Sequence, residues 1–211
     1  MTKRRSNQLV SGKAVPAASS GQRAAARVAA AILQFLGKIP ETAHHKRTNP
    51  TQASREIASS AAAKAALTAG SLALPPGPLG WLTIMPELIA VWKIQAQMVS
   101  DLAAIHGKRS VLTQEQMLYC LFRHMAAHAV RDLVVRVGQR ALVRRASLRM
   151  VQAIAQRIGV RITQRAIGKG ISRWLPLLGA VGVGGYAYYD TSQVAATAID
   201  LFARDIVIES D

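Results

Sequence analysis

Apolar residues along most of this chain recur at the three- and four-residue spacing of an amphipathic helix. The spacing predicts a first helix from Gln22 to Leu36, a second from Thr51 to Ala69 and a third from Leu82 to Ile105. Alternating runs of Val, Thr and Tyr, which are typical of strands, are absent. We therefore predict an all-α protein, a single helical bundle of about six helices.

The fourth helix carries clear start signals. Thr113 is a good N-cap, and Gln116 stands three residues later, which is the spacing of a capping box. Leu112 and Met117 flank these two residues as the apolar pair of a hydrophobic staple. The sequence therefore predicts a helix that begins just after Thr113.

Downstream of this start, glycine and capping residues mark the expected interruptions. The helical pattern runs to Val137, continues over residues 139–158, and changes its apolar face at Gly159. Because glycine destabilises a helix interior, we expect a kink or short break there. A last helix is expected to start at Asp190 or at the residue after it, since both are capable caps.

Two uncharged apolar segments rich in Pro and Gly interrupt the pattern, Gly70–Trp81 and Trp174–Tyr189. As a helix, the second would span about 24 Å, less than the roughly 30 Å hydrocarbon core of a bilayer. We predict either that both are buried hairpins that pack helices closely, or that both insert partly into a bilayer. The residues predicted to insert are Trp81, Leu82, Trp174, Leu175, Leu177 and Leu178. The aromatic residues expected near the membrane interface are Trp81, Trp92, Trp174, Tyr186, Tyr188 and Tyr189.

Composition adds a strong positive charge to this picture. The 211 residues include 27 Lys and Arg against 11 Asp and Glu, which gives a net charge of +16. Such a charge favours an anionic partner: nucleic acid, lipid headgroups or an acidic protein. The mean hydropathy of +0.17 is high for a chain with this much charge, which favours lipid. Residues 1–20 are polar and basic and are expected to form a disordered tail, leaving residues 21–211 as one helical domain.

Much of the positive charge is concentrated in one part of the chain. Twelve basic residues and one acidic residue lie between Arg123 and Arg173. Five of the basic residues recur at every fourth position: Arg157, Arg161, Arg165, Lys169 and Arg173. Helical steps of four keep neighbours within about 40° of each other, so these five are predicted to form a basic ridge. The ridge is interpreted either as a solvated helix face or as a site that binds an anionic surface.

Four potential metal ligands also follow one another at four-residue steps: Cys120, His124, His128 and Asp132. These steps drift by about 120° around the helix, so all four cannot meet at one ion. We assign no metal and keep only His124 and His128 as candidates, the alternative being a polar face with an Asp132–Arg136 pair. Catalytic and nucleotide-binding motifs are absent, so we expect a non-enzymatic protein without a cofactor. The single cysteine excludes an intrachain disulfide.

The two apolar segments and the helices that follow them carry a family resemblance. Residues 70–107, which include Trp-Lys-Ile-Gln-Ala-Gln-Met from Trp92, are similar to the signature helix of the EcsC family. Residues 173–185, Arg-Trp-Leu-Pro-Leu-Leu-Gly-Ala-Val-Gly-Val-Gly-Gly, with the helix to Asp205, resemble its second motif, and the two matches span about two thirds of the chain. The first segment alone also resembles the helical C-terminal domain of some bacterial Era-like GTPases. The resemblance implies a bacterial, helical, often membrane-associated protein without agreed catalytic residues.

Charge, apolar segments and resemblance together favour a membrane-associated protein of undefined activity. We expect it at the cytoplasmic face of the membrane, peripheral or partly inserted, and bound to the anionic surface through basic amphipathic helices and apolar hairpins. The alternative is a soluble, basic helical module that binds nucleic acid. Zinc-finger, zipper and aromatic-sheet motifs, which would favour that alternative, are not found in the sequence.

Overall fold

The computed structural model describes residues 20–72, 80–130, 134–137, 140–143, 147–168, 176–203 and 206–208. The body of this part is all-α, as predicted, with a short 3-10 turn at Arg109–Val111. Its six α-helices are α1 (Ser20–Leu36), α2 (Pro50–Leu72), α3 (Gly80–Ile105), α4 (Gln114–Val130), α5 (Leu148–Gly168) and α6 (Pro176–Ala203). The expected tail, residues 1–20, lies almost wholly outside the described residues.

Three short strands lie outside the helices: β1 (Val134–Val137), β2 (Arg140–Val143) and β3 (Ile206–Ile208). β1 pairs with β2 antiparallel, and β2 pairs with β3 in parallel. The sequence analysis predicts helix as far as Val137 and again from residue 139. That prediction is wrong in β1 and β2. The sequence Val-Val-Arg-Val explains the difference, because β-branched residues are restricted in a helix and fit the extended chain better.

The start of α4 has the capping box that the sequence predicts. The backbone N–H of Thr113 donates to Oε1 of Gln116 at 3.0 Å, and the backbone N–H of Gln116 donates to Oγ1 of Thr113 at 3.3 Å. Leu112 and Met117, the predicted staple pair, are both buried. Local sequence chemistry thus fixes where this helix begins.

The end of α3 is also set locally. Gly107 has a φ of 70°, a left-handed conformation that glycine adopts without strain, and its N–H donates to the carbonyl of Ala104 at 2.9 Å. Within this turn, the ring of His106 lies 3.2 Å from Oγ of Ser54 near the start of α2. Burial, with a further contribution from the charge of Lys108, lowers the pKa of His106, which favours its neutral form in this contact.

Helices α2, α3 and α6 pack on one another, and α1 packs on α5, with α4 in contact with both groups. α2 and α3 are antiparallel, because Ser54 of α2 meets His106 at the end of α3, whereas Ala65 and Ala69 cluster with Val91. α6 runs in the same direction as α3. Ala187 of α6 lies in the cluster with Val91 of α3, and Asp190, three residues later, accepts a hydrogen bond from Gln95, four residues after Val91. The C-terminal end of α2 and the N-terminal ends of α3 and α6 therefore lie at one end of the bundle.

The main core is built around aromatic and aliphatic side chains from α1, α3, α4, α5 and α6. Trp92 is 2% exposed and packs edge-on against Phe122, with ring centroids 5.4 Å apart and planes at 80°. The expectation that Trp92 lies near a membrane interface is therefore wrong, because its helix turns this side chain into the protein. Other fully buried large residues are Phe202, Ile32, Met98, Leu102, Ile105, Met117, Leu118, Leu121 and Ile158.

α3 is the central helix of this core. Among the described residues it alone contains a stretch, Leu88–Ile105, that is long and apolar enough to cross a membrane, with a mean hydropathy of 1.2. The bundle buries 61% of that stretch. Contacts with α1, α2, α4 and α6 thus account for its apolar composition.

Two glycine-based expectations are corrected by the packing of helices. α5 continues unbroken through Gly159, which lies against α1 so closely that a Cβ there would overlap the carbonyl oxygen of Ala25. α6 begins at Pro176, not near Asp190, so the described part of the second apolar segment is the first half of a long helix. At Gly159 the close approach of α1 outweighs the poor helix propensity of glycine.

Candidate functional site

Large apolar side chains exposed to solvent are concentrated at one end of the bundle. Six such side chains stand out in the part of the chain that the structure describes, and five lie in the second half of α2 or the first half of α6. We call these five the apolar surface: Leu67 (75% exposed), Val181 (71%), Tyr189 (60%), Tyr186 (53%) and Tyr188 (47%). Scattered single apolar residues are ordinary on a protein exterior, but a local group of this kind marks an interaction site.

Close packing of α6 on α2 determines which side of α6 faces outward. A Cβ at Gly184 would lie 3.0 Å from the carbonyl oxygen of Ala66, so the two backbones nearly touch. Val183 and Ala187 point into the small cluster that contains Ala65, Ala69 and Val91. The rest of the α6 circumference, which carries Val181 and the tyrosines, is left on the exterior.

The outer side of α6 carries open glycines between its exposed side chains. Val181, Gly185 and Tyr189 follow one another at four-residue steps, which keeps them on one side of the helix. Gly182 lies beside them, and a Cβ at Gly182 or at Gly185 would meet no atom within 4 Å. These two glycines therefore serve no contact within the described protein, in contrast to Gly184.

The fold brings the two apolar segments of the sequence to the same end of the bundle. Trp81 and Leu82 lie in the first turn of α3, and Leu177 and Leu178 lie in the first turn of α6, which begins at the same end. Trp174 and Leu175 lie outside the described residues. Four of the six residues predicted to insert into lipid are thus placed in helix starts at the end that carries the apolar surface.

Charge is distributed unevenly along the bundle. Residues 176–189 contain no charged side chain, and residues 57–72 contain only Lys64, which is exposed. Glu56 and Asp101, the acidic residues of α2 and α3 whose side chains are described, lie toward the opposite end, near the contact between Ser54 and His106. The N-termini of α3 and α6 add positive partial charge at the apolar end, which the C-terminus of α2 offsets in part. The side chain of Glu87, in the first half of α3, is not described.

The basic ridge is described for two of its five residues. Arg157 and Arg161 are exposed on α5, and between them Val160 is 45% exposed, the sixth of the exposed apolar side chains. The side chain of Arg165 and the whole of Lys169 and Arg173 lie outside the described residues. Only residues 169–175 separate α5 from α6, so Gly168 and Pro176 are at most about 28 Å apart.

A buried polar centre, which the sequence analysis does not predict, joins α3, α4 and α6. Nε2 of Gln95 donates to Oδ2 of Asp190 at 2.8 Å and lies 3.1 Å from Oγ1 of Thr191. Nε2 of His124 lies 2.6 Å from Oδ1 of Asp190, and Nδ1 of the same ring is buried and has no hydrogen-bond partner among the described residues. Gln95, His124 and the adjacent pair Asp190 and Thr191 come from three distant parts of the sequence and follow no known motif, so only the packing of three helices reveals the centre.

This centre also changes the interpretation of the predicted column of metal ligands. His124 is held by Asp190 of α6 rather than by a residue of its own helix. Burial raises the pKa of the Cys120 thiol far above its ordinary value despite the opposing charge of Arg123, so the thiol is protonated in this structure. The side chains of His128 and Arg136 and the whole of Asp132 lie outside the described residues. Because α4 ends at Val130 and Arg136 lies in β1, the predicted pairing of Asp132 and Arg136 along one helix is wrong. Within the described residues, no three His, Cys, Asp or Glu side chains are grouped closely enough to hold a metal ion.

Comparison of the chain with protein-family models, with curated proteins and with solved structures finds no match. The resemblance to the EcsC family therefore stays a prediction from the sequence. The argument for function rests on the apolar surface, the basic ridge and their positions in the fold.

Proposed function

We propose that this protein is a non-enzymatic helical module that docks on an anionic membrane surface through the apolar end of its bundle and its basic ridge. The observation that carries the proposal is the position of the apolar surface. The five exposed apolar side chains lie in the half of the bundle where α3 and α6 begin, and those helix starts contain four of the six predicted insertion residues. A protein whose two apolar segments were packing elements alone would enclose them, whereas Val181 and Tyr189 are mostly exposed.

The basic ridge supplies the attraction to lipid headgroups in this proposal. Each Lys or Arg held near an anionic membrane contributes about 1 kcal/mol, and the contribution falls with salt because the field extends only about one Debye length. Arg157 and Arg161 are both exposed, with the exposed Val160 between them. Basic residues around an apolar side chain are the arrangement found in helices that lie at membrane interfaces.

Flotation with vesicles tests the proposal directly. We expect the full-length protein to float at low salt with vesicles that contain phosphatidylglycerol, and to float poorly with pure phosphatidylcholine. A double variant, Arg157→Gln with Arg161→Gln, should weaken binding to the anionic vesicles about 30-fold, as two contributions of about 1 kcal/mol require. The matched control is Lys38→Gln with Arg55→Gln, two exposed basic residues that are not part of α5, which should bind within a few-fold of the unmodified protein.

Two results would contradict the proposal. Protein that stays with the soluble fraction at low salt, whatever the vesicle composition, would exclude membrane docking. If such protein instead bound DNA or RNA with a steep dependence on salt, the nucleic-acid alternative would replace it.

A further inference from the structure

We infer that the outer face of the first half of α6, formed by Val181, Gly182, Gly185, Tyr186 and Tyr189, is the part of the protein that enters the lipid headgroup region. This inference rests on the proposed membrane docking and adds the orientation of the bound protein. The helix would contact lipid along its side, not only through the first turns of α3 and α6. The occupant of the face is an anionic bilayer.

The first argument is the chemistry of the face. It presents tyrosines 60% and 53% exposed beside a valine 71% exposed, with no charged residue anywhere from Pro176 to Tyr189. Tyrosine has an apolar ring and a polar hydroxyl, and it is enriched where one end of the side chain is in hydrocarbon and the other in water. An in-plane helix typically sinks about 5–10 Å, a depth that suits such side chains.

The open glycines point to the same face. Exposed glycine in a helix interior is less favourable than alanine, so a position that gains nothing within the fold is unexpected. A Cβ at Gly159 or Gly184 would meet the carbonyl oxygen of an alanine on a neighbouring helix, whereas a Cβ at Gly182 or Gly185 would meet none of the described atoms within 4 Å. Their absent side chains leave a shallow depression between Val181 and the tyrosines, open to molecules from outside.

Charge complementarity favours an anionic bilayer, which offers both headgroup charge and hydrocarbon to such a face. The chain has a net charge of +16; Lys64 is exposed on α2, against which the first half of α6 packs, and Arg157 and Arg161 are exposed on α5. Of the acidic residues of α2 and α3, Glu56 and Asp101 lie toward the other end, and Glu87 lies in the half of α3 at this end. An uncharged apolar face on a chain of this charge therefore suits an anionic bilayer.

The face has a defined limit along the helix. Beyond Asp190 the same side of α6 continues through Gln193, Ala196 and Asp200, so its character changes from apolar to polar. Asp200 lies 3.8 Å from Arg123 of α4, which keeps its carboxylate at the protein surface. We therefore expect lipid contact to stop near the middle of α6.

Cysteine labelling provides the test, because Cys120 is fully buried and a newly introduced thiol can be labelled selectively. Full-length Gly185→Cys and Tyr189→Cys variants carry the environment-sensitive fluorophore NBD on the face. Ala196→Cys is the matched control, since Ala196 is exposed on the same side of α6 but eleven residues beyond Gly185, about 16 Å along the axis. Circular dichroism verifies that each variant keeps its helical content.

With vesicles that contain phosphatidylglycerol, NBD at positions 185 and 189 should shift to the blue, gain at least twofold in intensity and be quenched by lipids with a shallow spin label. The label at position 196 should change little. Protein that floats with vesicles while the labels at 185 and 189 stay unchanged would overturn the orientation and leave the proposed function intact. Absence of flotation would instead contradict both the orientation and the proposed function. A blue shift that depends on protein concentration without vesicles would assign the face to a second copy of the chain and overturn the inference.

Discussion

The two halves of α6 differ in what surrounds them, although they form one continuous helix from Pro176 to Ala203. In the first half, among the residues whose side chains are described, Gly184, Val183 and Ala187 pack against α2 and α3, and Val181, Tyr186, Tyr188 and Tyr189 are exposed on the outer side. The second half contributes Val194, Ala195, Ala198, Leu201 and Phe202 to the main core. Between them, Asp190 and Thr191 take part in the buried polar centre. The comparison teaches that burial of the second half holds the helix in place, so the first half is free to present a surface.

The sharpest test of this comparison removes one aromatic ring from each half. Phe202→Ala empties a site that is 2% exposed and should lower the free energy of unfolding by about 3–5 kcal/mol. Tyr189→Ala, its control in the first half, should change it by no more than about 0.5 kcal/mol. Urea denaturation monitored by circular dichroism measures both. Similar losses for the two variants would mean that the first half is as important to the fold as the second, and the comparison would be wrong.

Removing Asp190 from the buried polar centre should have the next largest effect on the free energy of unfolding. Asp190→Ala removes the acceptor for Gln95 and His124, and each buried group left unpaired costs about 1–3 kcal/mol, so we expect a loss of about 2–4 kcal/mol. Asp190→Asn keeps one side-chain oxygen and should lower the free energy of unfolding by a smaller amount. The matched control is Asp200→Ala, which removes a partly exposed carboxylate 3.8 Å from Arg123 and should cost less than about 1 kcal/mol. Equal losses at positions 190 and 200 would contradict a structural role for the buried centre.

Local signals account for what the sequence predicts well. The reciprocal bonds of Thr113 and Gln116 and the left-handed turn at Gly107 depend on residues within three or four positions of each other. Such contacts form wherever the local sequence is the same, so the start of α4 and the end of α3 can be predicted from it. The six-helix body is likewise confirmed, because apolar periodicity is a property of each helix alone.

Features that depend on contacts between distant residues are those that the sequence analysis misses. Gly159 and Gly184 look like helix breaks until the approach of α1 and α2 shows that they are contact points. Trp92 is of a residue type that is common at membrane interfaces, but it is buried against Phe122 of another helix. The polar centre joins Gln95 to a residue 95 positions later in the sequence. In each case the deciding partner lies on a different helix, which residue spacing within one helix does not reveal.

The smallest of the predicted effects distinguishes the glycines of α6 from one another. Gly184→Leu places a side chain where even a Cβ would lie 3.0 Å from the carbonyl oxygen of Ala66, so α2 and α6 must separate. Forcing extra atoms into a packed contact costs about 1–3 kcal/mol, and we expect a loss in this range by urea denaturation.

Gly182→Ala is the matched change on the outer side and should act in the opposite direction. Its Cβ meets nothing within 4 Å, and alanine is favoured over glycine in a helix by roughly 0.5–1 kcal/mol, so the free energy of unfolding should rise by about that amount. Since one methyl group barely fills the depression, binding to anionic vesicles should stay within a few-fold. A loss of stability at position 182 would show that its outer side is covered in solution, because an uncovered helix position gains from alanine. The exposed face would then be an internal contact, and the two halves of α6 would no longer differ.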